Sequence, residues 1–330
     1  MADLKTKYMG LELRSPIIAG SCGLTSDVEK MVEMEKAGVG AVVLKSIFEE
    51  QINEETSGVF KAGYGMGDAY PEAEDYIKAY IRSNTIQKYV ELVRNAKSRL
   101  TIPVIASVNC FSGGEWVSFA RQLEEAGADA LELNVFILPV NEFKESAEVE
   151  NVYFEIVKSI KSQIKIPVSV KISHYFTNLS AFVDKIKAYG ANATTLFNRF
   201  YEPDININTL EMGAASVFST AAELRTTLRW TGILAGKDKR LEISASTGVH
   251  SGEAAVKLLL AGATTVQVCS VLYEKGIHVI EDINNFIGKW MDTKAFKTIG
   301  DYRGMLSYSS IENPDLYERA QFMKYFSNKS

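Results

Sequence analysis

One pattern recurs four times in this 330-residue chain: a helix ends at a glycine, and a short apolar strand begins within a few residues. The glycines are Gly38, Gly127, Gly190 and Gly262, and each precedes a run such as AVVLK or ALELN. Glycine closes a helix because it adopts the left-handed conformation without strain. A strand that is apolar along its whole length is buried on both faces, which is typical of a parallel sheet. The pattern therefore predicts strands and helices that alternate along the chain.

Eight such strands can be counted. They are predicted to begin at Pro16, Ala41, Pro103, Ala130, Pro167, Ala193, Leu241 and Thr264. Eight alternating units favour a closed (β/α)8 barrel, the TIM barrel of the α/β class, over the alternative of a doubly wound open sheet. No linker rich in proline, glycine or serine divides the chain, so residues 1–330 are predicted to form a single domain. A short hairpin or extended segment is expected around Tyr8 to Leu13, and a helix over Asp27 to Ala37.

The stretch from Leu241 to Ser270 reads as one complete unit of strand, helix and strand. An apolar run ends at Thr247 and Gly248, a helix pattern follows, and a second strand leads to Cys269 and Ser270. Backbone amides at such a turn, together with a helix N-terminus, bind phosphate well, and late barrel strands are the usual place for this site. The other interpretation is an ordinary turn in which Gly248 only supplies a positive φ.

Three connections from strand to helix are long: Phe48 to Asn84, Val135 to Val149 and Arg199 to Ser219. In a barrel they lie on the catalytic face, and long loops in a compact domain commonly carry function. We therefore expect these loops to form a lid over that face. The C-terminal segment from Glu281 to Ser330 has helix patterns and is expected to pack over the barrel or to lie at a dimer interface.

Polar side chains stand where the predicted strands end. They are two lysines and three asparagines: Lys45 followed by Ser46, Asn109, Asn134, Lys171 and Asn198. A lysine supplies positive charge to a phosphate or to an anionic ring, and an asparagine offers a donor and an acceptor to the edge of a heterocycle. The cluster favours an anionic or heteroaromatic ligand. Taken singly, each residue could equally cap a strand or anchor a loop.

Composition excludes several classes of protein. A net charge of -5 argues against nucleic acid or an anionic membrane as partner. No stretch approaches the roughly 20 apolar residues of a membrane span, and the N-terminus lacks the apolar core of a signal peptide. The three cysteines are far apart and are expected to be reduced in the cytoplasm. The three histidines have no metal-ligand spacing, so no metal site is predicted.

The chain resembles the dihydroorotate dehydrogenase family, nearest to its soluble class 1 members, over most of its length. The stretches that carry the resemblance are SPIIAGSCG, GVGAVVLKSI, GYGMGDAYP, EEAGADALELN, VSVKIS, LFNRF and TGVHSGEAAVKLLLAGATTVQVCS. The resemblance implies an FMN cofactor at the top of the barrel and hydride transfer from a substrate C–H to the flavin N5, oxidising dihydroorotate to orotate in pyrimidine biosynthesis or a related cyclic, anionic compound.

The same resemblance assigns residues to FMN. It places Gly20 and Ser21 beside the flavin, Lys45 against the ring, and the phosphate at Gly248 with Cys269 and Ser270. Further cofactor contacts are assigned to Ser46, Asn109, Asn134 and Lys171, and Lys45 and Asn134 are also assigned catalytic roles. Cys269 and Ser270 replace the family's usual glycine followed by threonine or serine, a change that leaves a backbone amide and one hydroxyl for the phosphate.

The substrate half departs from the family. Where the family has a cysteine or serine base, this chain has Ile137 or, with a shift of one residue, Leu138, and neither accepts a proton. Substrate contacts are assigned to Tyr64 (an asparagine in the family), Met66, Gly67, Asn134, Asn198 and Arg199 (a serine in the family), and Asn141 is a candidate for the shifted asparagine. Either Tyr64, Cys110 or a loop water serves as base, or the substrate differs. Arg199 would favour a further carboxylate, so we expect a carboxylated heterocycle.

Two other functions remain open. One is a flavin-free barrel lyase or isomerase that uses Lys45 or Lys171 to form a Schiff base. The other is a flavoprotein of the same family that has lost turnover and acts as a binding or regulatory subunit. A homodimer is expected, and the resemblance also suggests an electron-transfer partner subunit, as in some relatives.

Overall fold

The parallel strands of this protein close into an eight-stranded (β/α)8 barrel. In the computed structural model one sheet contains, in order, β4 (Ala41–Val43), β3 (Ile17–Ala19), β13 (Thr265–Val268), β12 (Glu242–Ala245), β9 (Ala193–Leu196), β8 (Val168–Ile172), β7 (Ala130–Asn134), β6 (Val104–Asn109) and β5 (Ile47–Phe48). A pairing between β4 and β6 closes this sheet. The short strands β4 and β5 both pair with β6 and together occupy one of the eight strand positions of the barrel. The structure describes residues 2–48, 71–109, 113–135, 137–199 and 202–318, with backbone alone at 48, 71–83 and 113–116.

Two compact units can be distinguished along the chain, and each has its own part of the sheet. The first unit comprises Met1–Ala19, Lys36–Gly40 and Ala193–Ser330. The second comprises Gly20–Glu35 and Ala41–Asn192.

The first unit contains four parallel strands of the barrel. They are β3 (Ile17–Ala19), β9 (Ala193–Leu196), β12 (Glu242–Ala245) and β13 (Thr265–Val268). Strand β12 lies between β9 and β13, and β13 also pairs with β3. Its helices are α6 (Leu224–Lys237), α7 (Gly252–Ala261), α8 (Ser270–Lys275), α9 (Val279–Thr293) and α10 (Asp315–Glu318).

The second unit contains the remaining strands of the barrel. Strand β6 (Val104–Asn109) pairs with β7 (Ala130–Asn134), which pairs with β8 (Val168–Ile172), and every residue of these three strands is buried. Its helices are α1 (Val28–Lys36), α2 (Pro71–Arg99), α3 (Gly113–Glu125), α4 (Ser146–Lys161) and α5 (Leu179–Ala188).

The predicted unit from Leu241 to Ser270 is confirmed as strand, helix and strand. Ser251 caps α7 by accepting the Ala254 N–H, and Gly262 ends the helix at φ 119°, which is the left-handed closure expected from the sequence. A hairpin over the first residues is also confirmed: β1 (Thr6–Tyr8) pairs with β2 (Leu11–Leu13) through a turn in which Met9 and Gly10 both have positive φ.

Three predictions about the loops need correction. Helix α2 begins at Pro71, so the connection predicted from Phe48 to Asn84 is helical in its last part. The connection from Arg199 to Ser219 contains an antiparallel hairpin of β10 (Pro203–Asn206) and β11 (Glu211–Ala214), whose residues are all exposed. Residues 302–311 form turns, where the sequence suggested helix, because this stretch contains Gly304 and three serines.

Within the ranges described, every helix is too short or too polar to span a lipid bilayer.

Candidate active site

The register of the second unit aligns polar side chains in two rows across neighbouring strands. Asn109 on β6, Asn134 on β7 and Lys171 on β8 are successive partners at the carboxyl ends of these strands. One row deeper, Ser107 pairs with Glu132. Side chains two residues apart on a strand point to the same face, so both rows face the same way. Three members of the predicted cluster, Asn109, Asn134 and Lys171, are therefore brought together in this unit.

Lys171 and Glu132 form a buried ion pair between the two rows. The Lys171 Nζ lies 3.7 Å from the Glu132 Oε1, and both side chains are almost completely buried. The Asn109 Oδ1 is also buried and has no hydrogen-bond partner among the residues described. A buried amide oxygen without a partner costs free energy unless a ligand supplies a donor. This part of the barrel is thus suited to a polar ligand.

Three serine hydroxyls extend the polar interior of the second unit. The Ser46 Oγ lies 2.7 Å from the Ser107 Oγ and 3.0 Å from the Ser21 Oγ, which also accepts the Ser46 N–H. Tyr89 from α2 both donates to the Ser107 carbonyl and accepts the Ser107 N–H. Burial raises the pKa of the Tyr89 phenol, and the charge of Glu132 adds to this, so the phenol stays protonated.

Lys45 differs from Lys171 in its surroundings. It follows β4, its side chain is exposed, and its backbone N–H donates to the Thr25 carbonyl. Gly20, which follows β3 directly, is buried. An exposed lysine at a strand end can reach a ligand without first losing a partner inside the barrel.

The connection after β7 carries Ile137 and Leu138, the two residues predicted from the sequence to stand at the family's base position. The Ile137 side chain is partly buried and lines a cavity of about 50 Å³ with Pro139, Tyr153 and Phe176 among others, whereas Leu138 is exposed. The Ile137 N–H donates to the Tyr153 phenol, whose pKa burial raises to about 12. Tyr153 therefore anchors this loop and does not accept protons near neutral pH.

Other side chains of this connection point into solvent. Asn141 is exposed and its Oδ1 accepts the Phe143 N–H in a local turn. That contact uses one lone pair of the side chain that the sequence offered as a replacement for the family's shifted asparagine.

In the first unit, the turn after β12 contains two successive residues in the left-handed region. Thr247 and Gly248 have consecutive positive φ values of 81° and 78°. A Cβ on Gly248 would overlap the backbone nitrogen of Leu224 and lie 2.7 Å from its Cα. Successive amides in a turn of this kind form a concave surface for anions. The glycine therefore has a packing role as well as a conformational one.

Ser270, the first residue of α8, belongs to the same part of the first unit. Strands β12 and β13 are parallel neighbours, so the turn after β12 and the residues after β13 emerge side by side. The Ser270 Oγ accepts the Ser219 N–H at 3.0 Å, and Cys269 is partly exposed at the cap of the helix. Gly248, Cys269 and Ser270 thus lie at the carboxyl ends of two neighbouring parallel strands.

Arg199 is held by protein partners. Its Nε donates to the Glu223 Oε2 at 2.9 Å and its Nη1 to the Val217 carbonyl at 3.0 Å. Partial burial opposes ionisation of Glu223, but hydrogen bonds from the Thr220 N–H and from Arg199 outweigh it and lower the pKa of this carboxyl. The positive charge at Arg199 is therefore largely balanced. Asn198 precedes it and is partly buried.

Three of the predicted substrate contacts, Tyr64, Met66 and Gly67, and the candidate base Cys110 lie outside the described residues. Sequence reasoning missed Glu132, Ser107 and His250. The sequence did contain a signal for Glu132: it stands two residues before Asn134 on the same predicted strand, so both side chains point to the same face of the sheet. Among the residues described, no group of three or more histidines, cysteines and carboxylates is placed to hold a metal ion.

Comparison with known proteins identifies the family. The profile of dihydroorotate dehydrogenase matches residues 3–291. The chain belongs to the dihydroorotate dehydrogenase family, a family of oxidoreductases. It is 30% identical over 311 residues to a protein of Thermoplasma acidophilum named dihydroorotate dehydrogenase B (NAD(+)), catalytic subunit, an alignment that covers 92% of this chain and 99% of the relative.

Other relatives have similar coverage. The chain is 27% identical over 326 residues to the protein of the same name from Thermoplasma volcanium, with 92% of this chain and 99% of that protein aligned. It is also 27% identical over 322 residues to a putative dihydroorotate dehydrogenase A (fumarate) of Aeropyrum pernix, with 92% and 97% aligned. The resemblance read from the sequence motifs is therefore confirmed.

Proposed function

We propose that this protein is an FMN-dependent oxidoreductase that removes two hydrogens from the CH–CH unit of dihydroorotate or of a related cyclic, anionic compound. The observation that carries the proposal is the family match over residues 3–291. The buried cation at the end of β8 supports it, because the Lys171 side chain can supply positive charge to an electron-rich ring.

The residues present fit FMN. The Asn109 Oδ1 is a buried acceptor that a ligand donor can satisfy. The turn at Thr247 and Gly248, with the Ser270 hydroxyl, has the donors that a phosphate needs. When bound, FMN supplies hydride acceptance at its N5 atom.

Each polar residue of the second unit then has a task. Lys171 is held by Glu132 and supplies positive charge to the ring as electron density increases on it. Ser46 and Ser21 offer hydroxyls whose direction is fixed by the chain of hydrogen bonds to Ser107. Lys45 is exposed before a ligand binds and is proposed to close against the ring.

The loop at Ile137 makes the proton step the distinctive part of this chain. Removing a hydride from one carbon requires a proton to leave the neighbouring carbon, and neither Ile137 nor Leu138 accepts one. A general base contributes about 10²- to 10⁴-fold to such a step. We therefore propose slow oxidation of dihydroorotate, unless another group acts as base, or oxidation of a related substrate whose proton is more acidic.

An anaerobic titration tests the function. The purified protein is expected to show flavin absorbance near the usual ~450 nm region, and this band should bleach when dihydroorotate or the true substrate is added. A protein that carries no flavin after reconstitution with FMN would refute the proposal. A flavin-saturated protein that no carboxylated dihydropyrimidine or similar heterocycle reduces would refute the activity and leave the binding intact.

Substitution at the base position sharpens this test. Ile137→Cys places a thiol where the family has its base and is expected to accelerate reduction by dihydroorotate about 10²-fold or more. Leu138→Cys tests the alternative alignment, in which the base position lies one residue later, at an exposed side chain. If Leu138→Cys accelerates the reaction and Ile137→Cys does not, the base position has shifted by one residue. If the wild-type protein already reduces its flavin quickly, another group serves as base.

Relatives differ in the electron acceptor that their names give. Two are named for NAD(+) and as catalytic subunits, and one is named for fumarate. We propose that this chain resembles the catalytic subunits and transfers electrons through a partner subunit, in the cytoplasm. Turnover of the isolated chain with fumarate as sole acceptor would contradict this assignment. The expected homodimer stays a prediction.

A further inference from the structure

A line of three side chains lies beside the phosphate turn of the first unit. Ser219 precedes α6, His250 follows the turn at Gly248, and Glu274 belongs to α8. The Ser219 Oγ is 3.1 Å from the His250 Nε2, and the His250 Nδ1 is 3.1 Å from the Glu274 Oε2. Both distances are within hydrogen-bond reach, so the three side chains are connected.

Ser270 is the fourth member of this line. Its Oγ accepts the Ser219 N–H at 3.0 Å and the Ser219 hydroxyl at 3.1 Å. A hydroxyl has one proton to donate and two lone pairs with which to accept. With both lone pairs engaged by Ser219, the Ser270 proton is directed to a third group.

The donors along the line have one consistent order. A carboxylate only accepts, so the His250 Nδ1 donates to Glu274. Ser219 gives its single hydroxyl proton to Ser270, so the His250 Nε2 donates to the Ser219 Oγ, and this order therefore requires the imidazolium form of His250, with a proton on both ring nitrogens. The chain of donors therefore runs from His250 through Ser219 to Ser270 and ends in an outward hydroxyl proton. Lys275 adds to its rigidity because its Nζ donates to the His250 carbonyl at 3.0 Å.

This order also argues against a nucleophilic serine. In a catalytic triad the serine proton passes to the histidine. Here the Ser219 hydroxyl donates to Ser270 and its N–H is engaged by the same oxygen. Ser219 thus acts as a link between His250 and Ser270, and the reactive end of the line is a hydrogen-bond donor.

The place of that donor indicates an anion as its partner. Ser270 emerges beside the turn whose residues Thr247 and Gly248 have consecutive positive φ. A charged acceptor strengthens hydrogen bonds, and a hydroxyl already polarised by two donors is a better donor to it.

We propose that Glu274, His250 and Ser219 form a relay that holds the Ser270 hydroxyl towards the phosphate group of FMN, and that this relay sets the preference of the protein for FMN over riboflavin. The inference rests on the proposed function, since it takes FMN as the ligand. His250 and Ser219 are positioning residues in this scheme, because they act through Ser270.

Binding of two flavins tests the relay. Apo-protein is titrated with FMN and, separately, with riboflavin, which lacks the phosphate, and binding is followed by flavin fluorescence. His250→Ala is expected to weaken FMN binding about 10-fold and Ser270→Ala about 10- to 100-fold, the range for a hydrogen bond to a charged group. Riboflavin binding should change less than about 2-fold in both variants, since it makes no contact that depends on the relay.

Two further variants serve as controls. His250→Gln retains an N–H donor for Ser219 and should restore FMN binding to within about 3-fold of the wild type. His278→Ala changes an exposed histidine that only approaches Asp282 at 4.0 Å, and it should leave both affinities unchanged. In a Ser270→Ala background, His250→Ala should have no further effect, because the relay acts through Ser270.

The outcomes separate this inference from the proposed function. If the wild-type protein binds neither flavin, the proposed function fails and the inference fails with it. If the wild type binds FMN but His250→Ala leaves FMN affinity unchanged, or weakens both flavins equally, the relay is refuted and the function stands. An effect of His250→Ala that persists in full without the Ser270 hydroxyl would also overturn the relay.

Discussion

At Gly248 an alanine would meet two obstacles: a positive φ and a steric clash with Leu224. A comparison with a second glycine separates the two costs. Gly248 has φ +78°, and a Cβ there would overlap the backbone of Leu224 at the start of α6. Gly10 provides a matched control, because its φ is +80° and a Cβ there would meet nothing within 4 Å. Gly10→Ala therefore reports the conformational cost alone, and Gly248→Ala reports the same cost together with the clash.

The expected magnitudes follow from these environments. A left-handed alanine costs about 1–2 kcal/mol, and an added methyl group in tightly packed surroundings costs about 1–3 kcal/mol more. Unfolding entropy for a chain of this length is about 0.7 kcal/mol per kelvin. We therefore expect Gly10→Ala to lower the melting temperature by about 1–3 °C and Gly248→Ala by about 3–7 °C. The Cβ of Gly248→Ala also pushes Leu224 away from the turn, so FMN binding should weaken at least about 10-fold.

Thermal unfolding of the apo-proteins at one scan rate measures the first quantity, and flavin fluorescence measures the second. Melting temperatures of the two variants within about 1 °C of each other would show that Leu224 does not constrain the turn. Normal FMN affinity in Gly248→Ala would show that the phosphate is bound elsewhere.

Two further predictions concern charged groups. Lys171→Met removes the partner of buried Glu132 and is expected to destabilise the apo-protein by about 3–5 kcal/mol in urea unfolding. Lys45→Met changes an exposed lysine and should change the free energy of unfolding by less than about 0.5 kcal/mol. Equal effects of the two substitutions would contradict the buried ion pair. The lowered pKa of Glu223 means that its carboxylate stabilises the fold above its ordinary value of 4.5 and that this contribution is lost as the pH falls through the lowered folded-state pKa. Glu223→Gln should therefore show a shallower loss of stability in acid than the wild type, and an unchanged pH profile between pH 7 and 3 would show that the contact with Arg199 contributes nothing.

The barrel could be predicted from the sequence because the residues that start and end its helices and turns act on near neighbours. Gly262 closes α7 with a positive φ, and Ser251 caps its start, and both roles depend only on residues a few positions away. The same holds for the turn at Met9 and Gly10. The start of α2 at Pro71 was missed, although proline is favoured in the first turn of a helix. The preceding segment is rich in glycine, which favoured a loop for the whole connection.

The site could be predicted from the sequence only in part. The lysines and asparagines at strand ends could be named from the sequence, because the carboxyl ends of parallel strands meet at one face. What those side chains contact could not be named. From the sequence, Arg199 was expected to offer its positive charge to a substrate carboxylate. In the fold its side chain is bound by Glu223, which is 24 residues away in sequence. Lys45 and Lys171 have the same side chain, but one is exposed and the other is paired inside the barrel.

The sequence by itself determined the alternation of strands and helices and the glycine turn at Gly248, since each depends on residue type and near neighbours; the phosphate role of that turn and the missing base at Ile137 stay predictions. Only the tertiary structure decided the ion pair of Lys171 with Glu132, the anchoring of Ile137 by Tyr153, and the hydrogen bonds that connect Glu274 to Ser270. These contacts join residues that are far apart in sequence. Hydrogen bonds and ion pairs act over only a few ångströms, so their partners are fixed by how strands and helices pack and not by the local pattern.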